Sequence, residues 1–427
     1  MISTLPSKSS RRPAGGLFQT GDGTNLFVTF ALVTSLFLLW GFCNGMIDIL
    51  NKHFQDSLHI NKAQSGLVQF ANYIGYFLMA IPAGLLARKF GYKGGILVGL
   101  VLIACGAFWF VPAVHIGTYW AFLTGLFVVA SGMTCLETIA NPYTTLLGAT
   151  RSGATRINIA QTFNGVGWIL GPLVGGHFVF GNGDGANADA ALYIPYLGVG
   201  IVVVVLIVIF AWANVPDIRA EEEVQAEAEG RGKKPLWRRS HFLFGVATQF
   251  LYVAAQTGIF SFFVNYVLEN EANVTKIQAS TWLGAFGFGL FMVGRLCGSA
   301  VISQSQPQRV LTTYAAINVM LTAVAMGGGK LGLYALFGTF FFMSIMFPTI
   351  FALAIRGLGD HTKLASSIIV MSIVGGAIAP PFMGHIADLH SMRVGFVVPL
   401  VCFVAIAFYG AVWKELEAAT SAAVPEA

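Results

Sequence analysis

Apolar segments long enough to cross a lipid bilayer recur along the whole chain, and no other feature restricts the possible folds as much. A helix needs about 20 mostly apolar residues to span the hydrocarbon core. Twelve such windows are present. They lie at 26–51, 64–88, 94–114, 119–146, 154–179, 191–214, 241–268, 277–301, 309–328, 331–355, 362–387 and 393–414.

The composition excludes the common soluble classes. Of the 427 residues, 56% are hydrophobic and only 10% are charged, whereas soluble domains have roughly 25% charged residues. So few charges cannot cover a water-facing surface, which disfavours a soluble enzyme, a nucleic-acid-binding protein and a disordered scaffold. The five cysteines are scattered without a CxxC pair, so we expect neither a disulfide framework nor a metal site. The sequence predicts an all-α protein with several membrane spans.

The distribution of basic residues predicts the orientation. With the N-terminus in the cytoplasm, nineteen of the 24 lysines and arginines fall on cytoplasmic segments or span ends. Cytoplasmic loops of membrane proteins are enriched in these residues. We therefore expect a multi-pass protein of the plasma (inner) membrane, with both termini in the cytoplasm.

An internal repeat divides the chain into halves. The pattern VGxxxGPxxxGH begins at Val166, and VGxxxAPxxxGH begins at Val374, 208 residues later. A parallel two-half repeat is typical of the major facilitator fold, whose substrate site lies between the halves near the midplane. We predict twelve transmembrane helices in two pseudo-symmetric six-helix bundles. The predicted segments are a cytoplasmic tail at 1–25, a bundle at 26–214, a charged cytoplasmic linker at 215–240, a second bundle at 241–414 and a tail at 415–427.

Two acidic residues lie within apolar spans and are the first candidates for function. Asp48 is on span one, where it shares a helix face with Asn44 at spacing i, i+4. Glu137 is on span four. Ionisable residues inside a membrane are costly and are usually functional, and burial penalises the charged form of a carboxyl. Either residue could bind a proton, although Asp48 could instead be a hydrated structural residue and Glu137 a packing contact.

Polar residues on two other spans are candidates for substrate binding. Span five presents Asn158, Gln161 and Asn164 on one broad face, and span seven presents Tyr252 and Gln256. Amide side chains both donate and accept hydrogen bonds, which suits sugar hydroxyls. The alternative is that they hydrogen-bond neighbouring helices.

Basic residues near span ends predict gating or structural roles. Arg88 and Lys93 lie in the turn after span two, within Gly84-Leu-Leu-Ala-Arg88-Lys89-Phe-Gly91-Tyr-Lys93. This spacing fits the signature of the major facilitator fold, except that Arg88 replaces its acid. Arg295, in a GRxxG sequence of span eight, is the expected counterpart in the second half.

Several long stretches resemble the fucose permease branch of the major facilitator superfamily. They include LLWGFCNGMIDIL, CLETIANPYTTLLG, RINIAQTFN and MFPTIFALAIRGLGDHTKLASSIIVMSIVGGAIAPPFMG. The resemblance implies a sugar:proton symporter in which Asp48 takes part in sugar recognition and coupling and Glu137 is the protonation site. It also implies that Gln161 and Asn164 lie in the sugar cavity. Gly45 and Ile47 depart from the family pattern, which often has asparagine at both positions.

The predicted function is therefore proton-coupled symport of a monosaccharide, either L-fucose or a related hexose such as galactose or glucose. The expected partners are the sugar, the proton and the lipid bilayer, with no nucleic acid; the protein is expected to be a monomer and not an enzyme. No cofactor is expected beyond the proton as coupling ion. The alternatives are a glucose/galactose facilitator, a sodium-coupled symporter and a non-transporting sugar sensor. A sensor is disfavoured because polar tails of about 25 and 13 residues leave little room for a folded signalling domain.

Overall fold

The computed structural model describes residues 16–19, 23–148, 152–181, 186–216, 236–356, 358 and 362–422. Within these residues, twelve helices are long and apolar enough to cross a membrane, as predicted. No end of a described span differs by more than six residues from its predicted window. The predicted fold class is confirmed. Most of the predicted linker, residues 217–235, lies outside the described residues, as do residues 1–15, 20–22 and 423–427 of the predicted tails.

We number the spans α1 to α12 along the chain. Their bounds are α1 Phe27–Ser57, α2 Lys62–Ala87, α3 Lys89–Ile116, α4 Tyr119–Leu146, α5 Thr155–Phe180, α6 Tyr193–Trp212, α7 Ser240–Asn270, α8 Lys276–Ile302, α9 Pro307–Gly327, α10 Gly329–Ile355, α11 Ile368–Leu389 and α12 Met392–Ala418. The last helix continues beyond the span to Ala422. Buried apolar residues form one large core within 26–215 and another within 252–413.

The repeated glycines explain how the halves are built. A Cβ added at Gly167 of α5 would lie 2.6 Å from the backbone nitrogen of Phe42 on α1. A Cβ added at Gly375, the repeat partner on α11, would lie 2.9 Å from the carbonyl carbon of Phe250 on α7. Real Cβ atoms cannot come so close to backbone, so only glycine permits these crossings. Each half therefore packs its fifth helix against its first in the same way.

The glycine that precedes the histidine of each repeat contacts the opposite half. A Cβ at Gly176 would lie 2.8 Å from the Cβ of Ser280 on α8, and one at Gly384 would lie 2.5 Å from the carbonyl oxygen of Lys62 on α2. The repeat thus specifies packing within each half and the contact between halves.

The helices of the second half are less regular than those of the first. Helix α8 contains a π-helical segment, Leu283–Phe288, and α11 contains a 3-10 segment, Ser372–Val374. Helix α10 is interrupted after Met343 and resumes at Met346. In the first half, the helical segment Leu67–Ile116 is kinked at Gly91, which has φ 69°. Such irregular segments often occur at functional or moving positions.

The halves meet at one end of the molecule. We name the end with the loops after odd-numbered helices the distal end, and the end where the described chain begins and finishes the terminal end. At the distal end Lys62 Nζ lies 2.5 Å from Glu269 Oε1, and Lys276 Nζ lies 2.8 Å from Asp56 Oδ2. Asp388 accepts hydrogen bonds from the backbone nitrogens of Lys62 and Ala63 at 3.0 and 2.9 Å. These contacts close the distal end.

Candidate functional site

Glu137 lies deep inside the first bundle but is not sealed. It is on α4, nine residues before Leu146, and its side chain is half-buried. Tyr73 and Tyr76 of α2 lie close enough to interact with it electrostatically. Its carboxyl makes no hydrogen bond within the described part of the chain. Acids within membrane spans almost always face the bundle interior or a water-filled space rather than lipid, so we infer that the exposed surface of Glu137 is reached by water from between the helices.

Polar groups of α1, α2, α4 and α5 extend this region. Gln161 Nε2 donates to Asn141 Oδ1 at 3.2 Å, and both residues are half-buried. Asn158 is exposed, one helical turn nearer the terminal end than Gln161. Trp40 Nε1 donates to the Tyr76 hydroxyl at 2.8 Å. The amides of Gln161 and Asn158 keep surface available for a polar ligand.

Two of the predicted sugar-binding amides are held by backbone contacts. Asn164 is buried, and its Nδ2 donates to the carbonyl oxygen of Phe37 at 3.1 Å. Asn44 is also buried, and its Nδ2 donates to the carbonyl oxygen of Trp40 at 3.1 Å. In this conformation Asn164 joins α5 to α1, and Asn44 bonds within its own helix and also contacts the hydroxyl of Tyr76, the tyrosine beside Glu137. Their roles in sugar binding stay predictions.

The two candidates on α7 also differ from each other. Tyr252 is fully buried, and its hydroxyl donates to the carbonyl oxygen of Met343, just before the interruption of α10, at 3.0 Å. Gln256, one turn along, is half-buried. Tyr252 thus stabilises the bend of α10, while Gln256 remains available to a ligand.

Asp48 lies in a different environment from Glu137. Only 3% of its surface is exposed. Its Oδ1 accepts a hydrogen bond from Gln69 Nε2 of α2 at 2.9 Å and lies 3.5 Å from Ser261 Oγ of α7. Its Oδ2 is buried and has no hydrogen-bond partner among the described residues. Asp48 is therefore at the closed contact between the halves, and Tyr73 of α2 interacts electrostatically with both Asp48 and Glu137.

A network of polar residues continues from Asp48 to the distal surface. Asn51 Nδ2 donates to the carbonyl oxygen of Ser261 at 3.2 Å, and Asn265 Nδ2 donates to Gln55 Oε1 at 2.6 Å. None of these residues, nor Gln69, is among the sequence predictions. Their spacing on α1 and α7 could have indicated them, since Asn51 follows Asp48 by three residues and Asn265 follows Ser261 by four.

The predicted basic residues divide into three cases. Lys93 Nζ donates to the carbonyl oxygens of Ala211 and Ala213 at 2.9 and 2.8 Å, so it binds the end of α6. Arg88 lies in helix, and its side chain is outside what the structure describes. Arg295 is within α8, seven residues before Ile302, and its guanidinium lies 5.1 Å from the ring centre of Phe291.

Arg295 is the most unusual of these groups because it is a half-buried cation within a span. Its Nε is buried without a hydrogen-bond partner in the described residues, and it lies near enough to Tyr252 for electrostatic interaction. A cation at this depth is costly unless it contacts polar or aromatic groups. Among the described residues, no group of three or more histidines, cysteines or acids is arranged to hold a metal ion.

Two six-helix halves that meet at the distal end, with acids and amides inside their spans, are typical of a membrane transporter of the alternating-access type. Residues 26–373 match the family model described as Major Facilitator Superfamily. The chain belongs to the major facilitator superfamily.

The relatives place the chain within the branch that its motifs resemble. It is 36% identical over 408 residues to the L-fucose-proton symporter of Escherichia coli (strain K12). The alignment covers 90% of this chain and 93% of that protein. It is 35% identical over 397 residues to a glucose/galactose transporter of Brucella abortus, which covers 92% of this chain and 95% of that protein.

The solved structures agree on the fold. The Escherichia coli fucose:proton symporter in its outward conformation has a TM-score of 0.66 at 35% identity, covering 91% of this chain and 99% of that chain. A bacterial homologue of the human lysosomal transporter Spinster, in an inward-facing and occupied conformation, has a TM-score of 0.74 at 14% identity, covering 91% of this chain and 97% of that chain. At this low identity the second likeness concerns the fold alone.

Proposed function

We propose that the protein is a proton-coupled monosaccharide symporter, with L-fucose or a related hexose such as galactose or glucose as substrate. The names of its relatives support this assignment, since they are L-fucose-proton symporters and glucose/galactose transporters at similar identity. The proton is the coupling ion, and no other cofactor is needed.

The observation that supports proton coupling most directly is the position of Glu137. It is a half-buried carboxyl with no hydrogen bond to the described residues, beside two tyrosines. The low dielectric of such a site favours the neutral acid, while the exposed surface lets water reach it. A carboxyl in this position can take up a proton from one side and release it to the other.

The orientation follows from charge. Basic residues are concentrated on the loops and span ends of the terminal end, so this end faces the cytoplasm of a bacterial-type plasma (inner) membrane. The distal contacts then close the outer side, and we propose that this conformation is an inward-facing one. The protein is proposed to act as a monomer.

In the proposed cycle, the outward-facing form binds a proton at Glu137 and a sugar at the amides around it. Gln161, Asn158 and Gln256 keep exposed surface and are the groups best placed to bind sugar hydroxyls. The neutral, loaded carrier closes its distal end, and Glu137 and the sugar then reach the cytoplasm. Proton release leaves a charged carboxyl that disfavours reuptake of the sugar and completes the coupling.

A second candidate function is a facilitator for glucose and galactose. It is favoured by the 35% identity to the Brucella abortus glucose/galactose transporter, which is nearly the same as the identity to the fucose symporter. The difference between the two functions is whether sugar entry brings a proton with it.

The deciding experiment records external pH in lightly buffered, de-energised cells that express the protein. L-fucose, D-galactose, D-glucose and D-mannose are added in turn, with and without sodium. Symport predicts alkalinisation with at least one sugar, lost in Glu137→Gln but retained in Glu415→Gln, an exposed acid near the terminal end. Sugar uptake without alkalinisation, or uptake that requires sodium, would reject proton coupling.

A further inference from the structure

Ser261 on α7 is bound at two points by α1. Its hydroxyl oxygen lies 3.5 Å from Asp48 Oδ1, and its carbonyl oxygen accepts a hydrogen bond from Asn51 Nδ2 at 3.2 Å. Asp48 and Asn51 are three residues apart and therefore share a helix face. Because α1 and α7 belong to different halves, both contacts must break whenever the distal end opens.

The closed distal end can accommodate Asp48 in its neutral form, but among the described residues it offers no counter-ion for the charged form. A carboxylate would have Oδ2 buried with no partner in the described part of the chain, and its two donors, Gln69 and Ser261, are both uncharged. Removing one charge from water without a counter-ion is expensive. Protonated at Oδ1, Asp48 donates that proton to Ser261 Oγ and leaves only a neutral carbonyl oxygen unpaired.

The charged and titratable groups around this contact do not provide a counter-ion for a charged Asp48. Tyr73 of α2 is the titratable group that faces Asp48, and it also interacts with Glu137 of α4. On α1 itself, Lys52 is paired with Asp56 at 2.7 Å. The partner that α7 presents to Asp48 is the uncharged Ser261.

We infer that Ser261 is a positioning residue that allows the distal end to close only over a protonated Asp48. This inference rests on the proposed function and gives the two acids different roles in it. Asp48, sealed in the inward-facing state, exchanges its proton with the distal side only and does not transport it. Glu137, half-exposed in the same state, is the acid whose proton crosses the membrane.

The test measures closure of the distal end directly. Spin labels are attached at His59 and Asn273, which are exposed on distal loops of opposite halves, in a variant whose exposed cysteines Cys105 and Cys297 are replaced. Pulsed electron–electron double resonance then measures the distance between the two labels. The fraction of molecules with the short distance is the fraction whose distal end is closed. No sugar is added, and the pH is varied in detergent or nanodiscs.

The expected result is that the closed fraction of the otherwise native protein rises as the pH falls. In Asp48→Asn, which cannot ionise, it is high and independent of pH. In Ser261→Ala, the closed-to-open ratio in acid falls about five- to tenfold, as loss of one hydrogen bond predicts, and the pH response flattens. The matched control is Thr257→Val, one turn away, which removes the 3.0 Å hydrogen bond to Tyr73 across the halves. It should lower the closed fraction equally at every pH.

The inference is overturned if the closed fraction of the native sequence does not respond to pH, if Asp48→Asn still responds, or if Ser261→Ala behaves like Thr257→Val. Should Ser261→Ala fail to fold, the first two measurements still decide. Loss of sugar-driven alkalinisation with intact pH-dependent closure would reject symport but keep this contact. Sugar-driven alkalinisation together with pH-independent closure would support symport and reject the role of this contact.

Discussion

The two acids of the membrane spans have the same chemistry but different access to water. Asp48 is sealed at the contact between the halves, with one oxygen bonded to Gln69 and the other unpaired among the described residues. Glu137 is equally deep in a bundle, yet it keeps exposed surface and has no hydrogen bond to the described residues. Depth in the membrane makes both acids costly when charged. What distinguishes them is which side of the membrane can exchange their proton.

The largest expected effect is that of Glu137→Gln. Glutamine keeps the shape and polarity of the side chain but cannot release a proton, so we expect uphill accumulation of sugar to be abolished. Exchange of labelled for unlabelled sugar, which needs no net proton movement, should partly survive. Both are measured in proteoliposomes with an imposed pH gradient. Normal accumulation by this variant would show that Glu137 is not the coupling site.

Asp48→Asn tests whether Asp48 controls closure or shares proton transport with Glu137. If the distal end closes over a neutral Asp48, this variant favours the closed form, and sugar uptake should slow about tenfold while remaining coupled to protons. Its uptake rate should also depend less on external pH, because Glu137 is then the one acid of the two that still takes up a proton from the outer side. Initial rates and proton uptake are measured together. Uptake without protons would show that Asp48 shares the coupling role with Glu137.

Paired variants on α5 test which amides face the sugar. Gln161→Ala should raise the KM about tenfold, since it removes hydrogen bonds from an accessible group. Asn164→Ala should chiefly lower the melting temperature, because its amide joins α5 to the Phe37 carbonyl of α1. Uptake kinetics and thermal unfolding in detergent separate the two outcomes. A raised KM and an unchanged melting temperature in Asn164→Ala would place Asn164 in the sugar site.

The smallest expected effect is that of Lys62→Gln at the distal surface. The pair Lys62–Glu269 is partly exposed, so its loss should change the closed-to-open ratio by no more than about fivefold, less at high salt. Lys276→Gln, which removes the pair to Asp56, is the matched variant. Distances between labels at His59 and Asn273 give the ratio. A shift larger than that of Ser261→Ala would mean that surface pairs, rather than Asp48, control closure.

Much of the fold can be predicted from the sequence because the membrane leaves few choices. Apolar windows, basic residues and the repeat at Val166 and Val374 are local signals, and each has a direct physical meaning. The repeat even predicts close helix crossings, which Gly167 and Gly375 both make.

The candidate site is predicted less completely. Asp48 and Glu137 are conspicuous as acids in apolar spans, but their burial depends on how the halves meet. Nothing in the sequence distinguishes Ser261 and Gln69 from other polar residues. Their role depends on the packing of α7 and α2 beside Asp48. Gln161 and Asn164 look alike in sequence, and only packing against α1 separates a bonded amide from an accessible one.

The stoichiometry of transport shows whether Glu137 alone carries the proton. In proteoliposomes held at zero membrane potential, the logarithm of the sugar accumulation ratio is plotted against the imposed pH difference. The slope gives protons per sugar. We expect a slope of about one in the native protein and the same slope in Asp48→Asn, because accumulation is set by the coupled ion alone. A slope near two that falls to one in Asp48→Asn would contradict it.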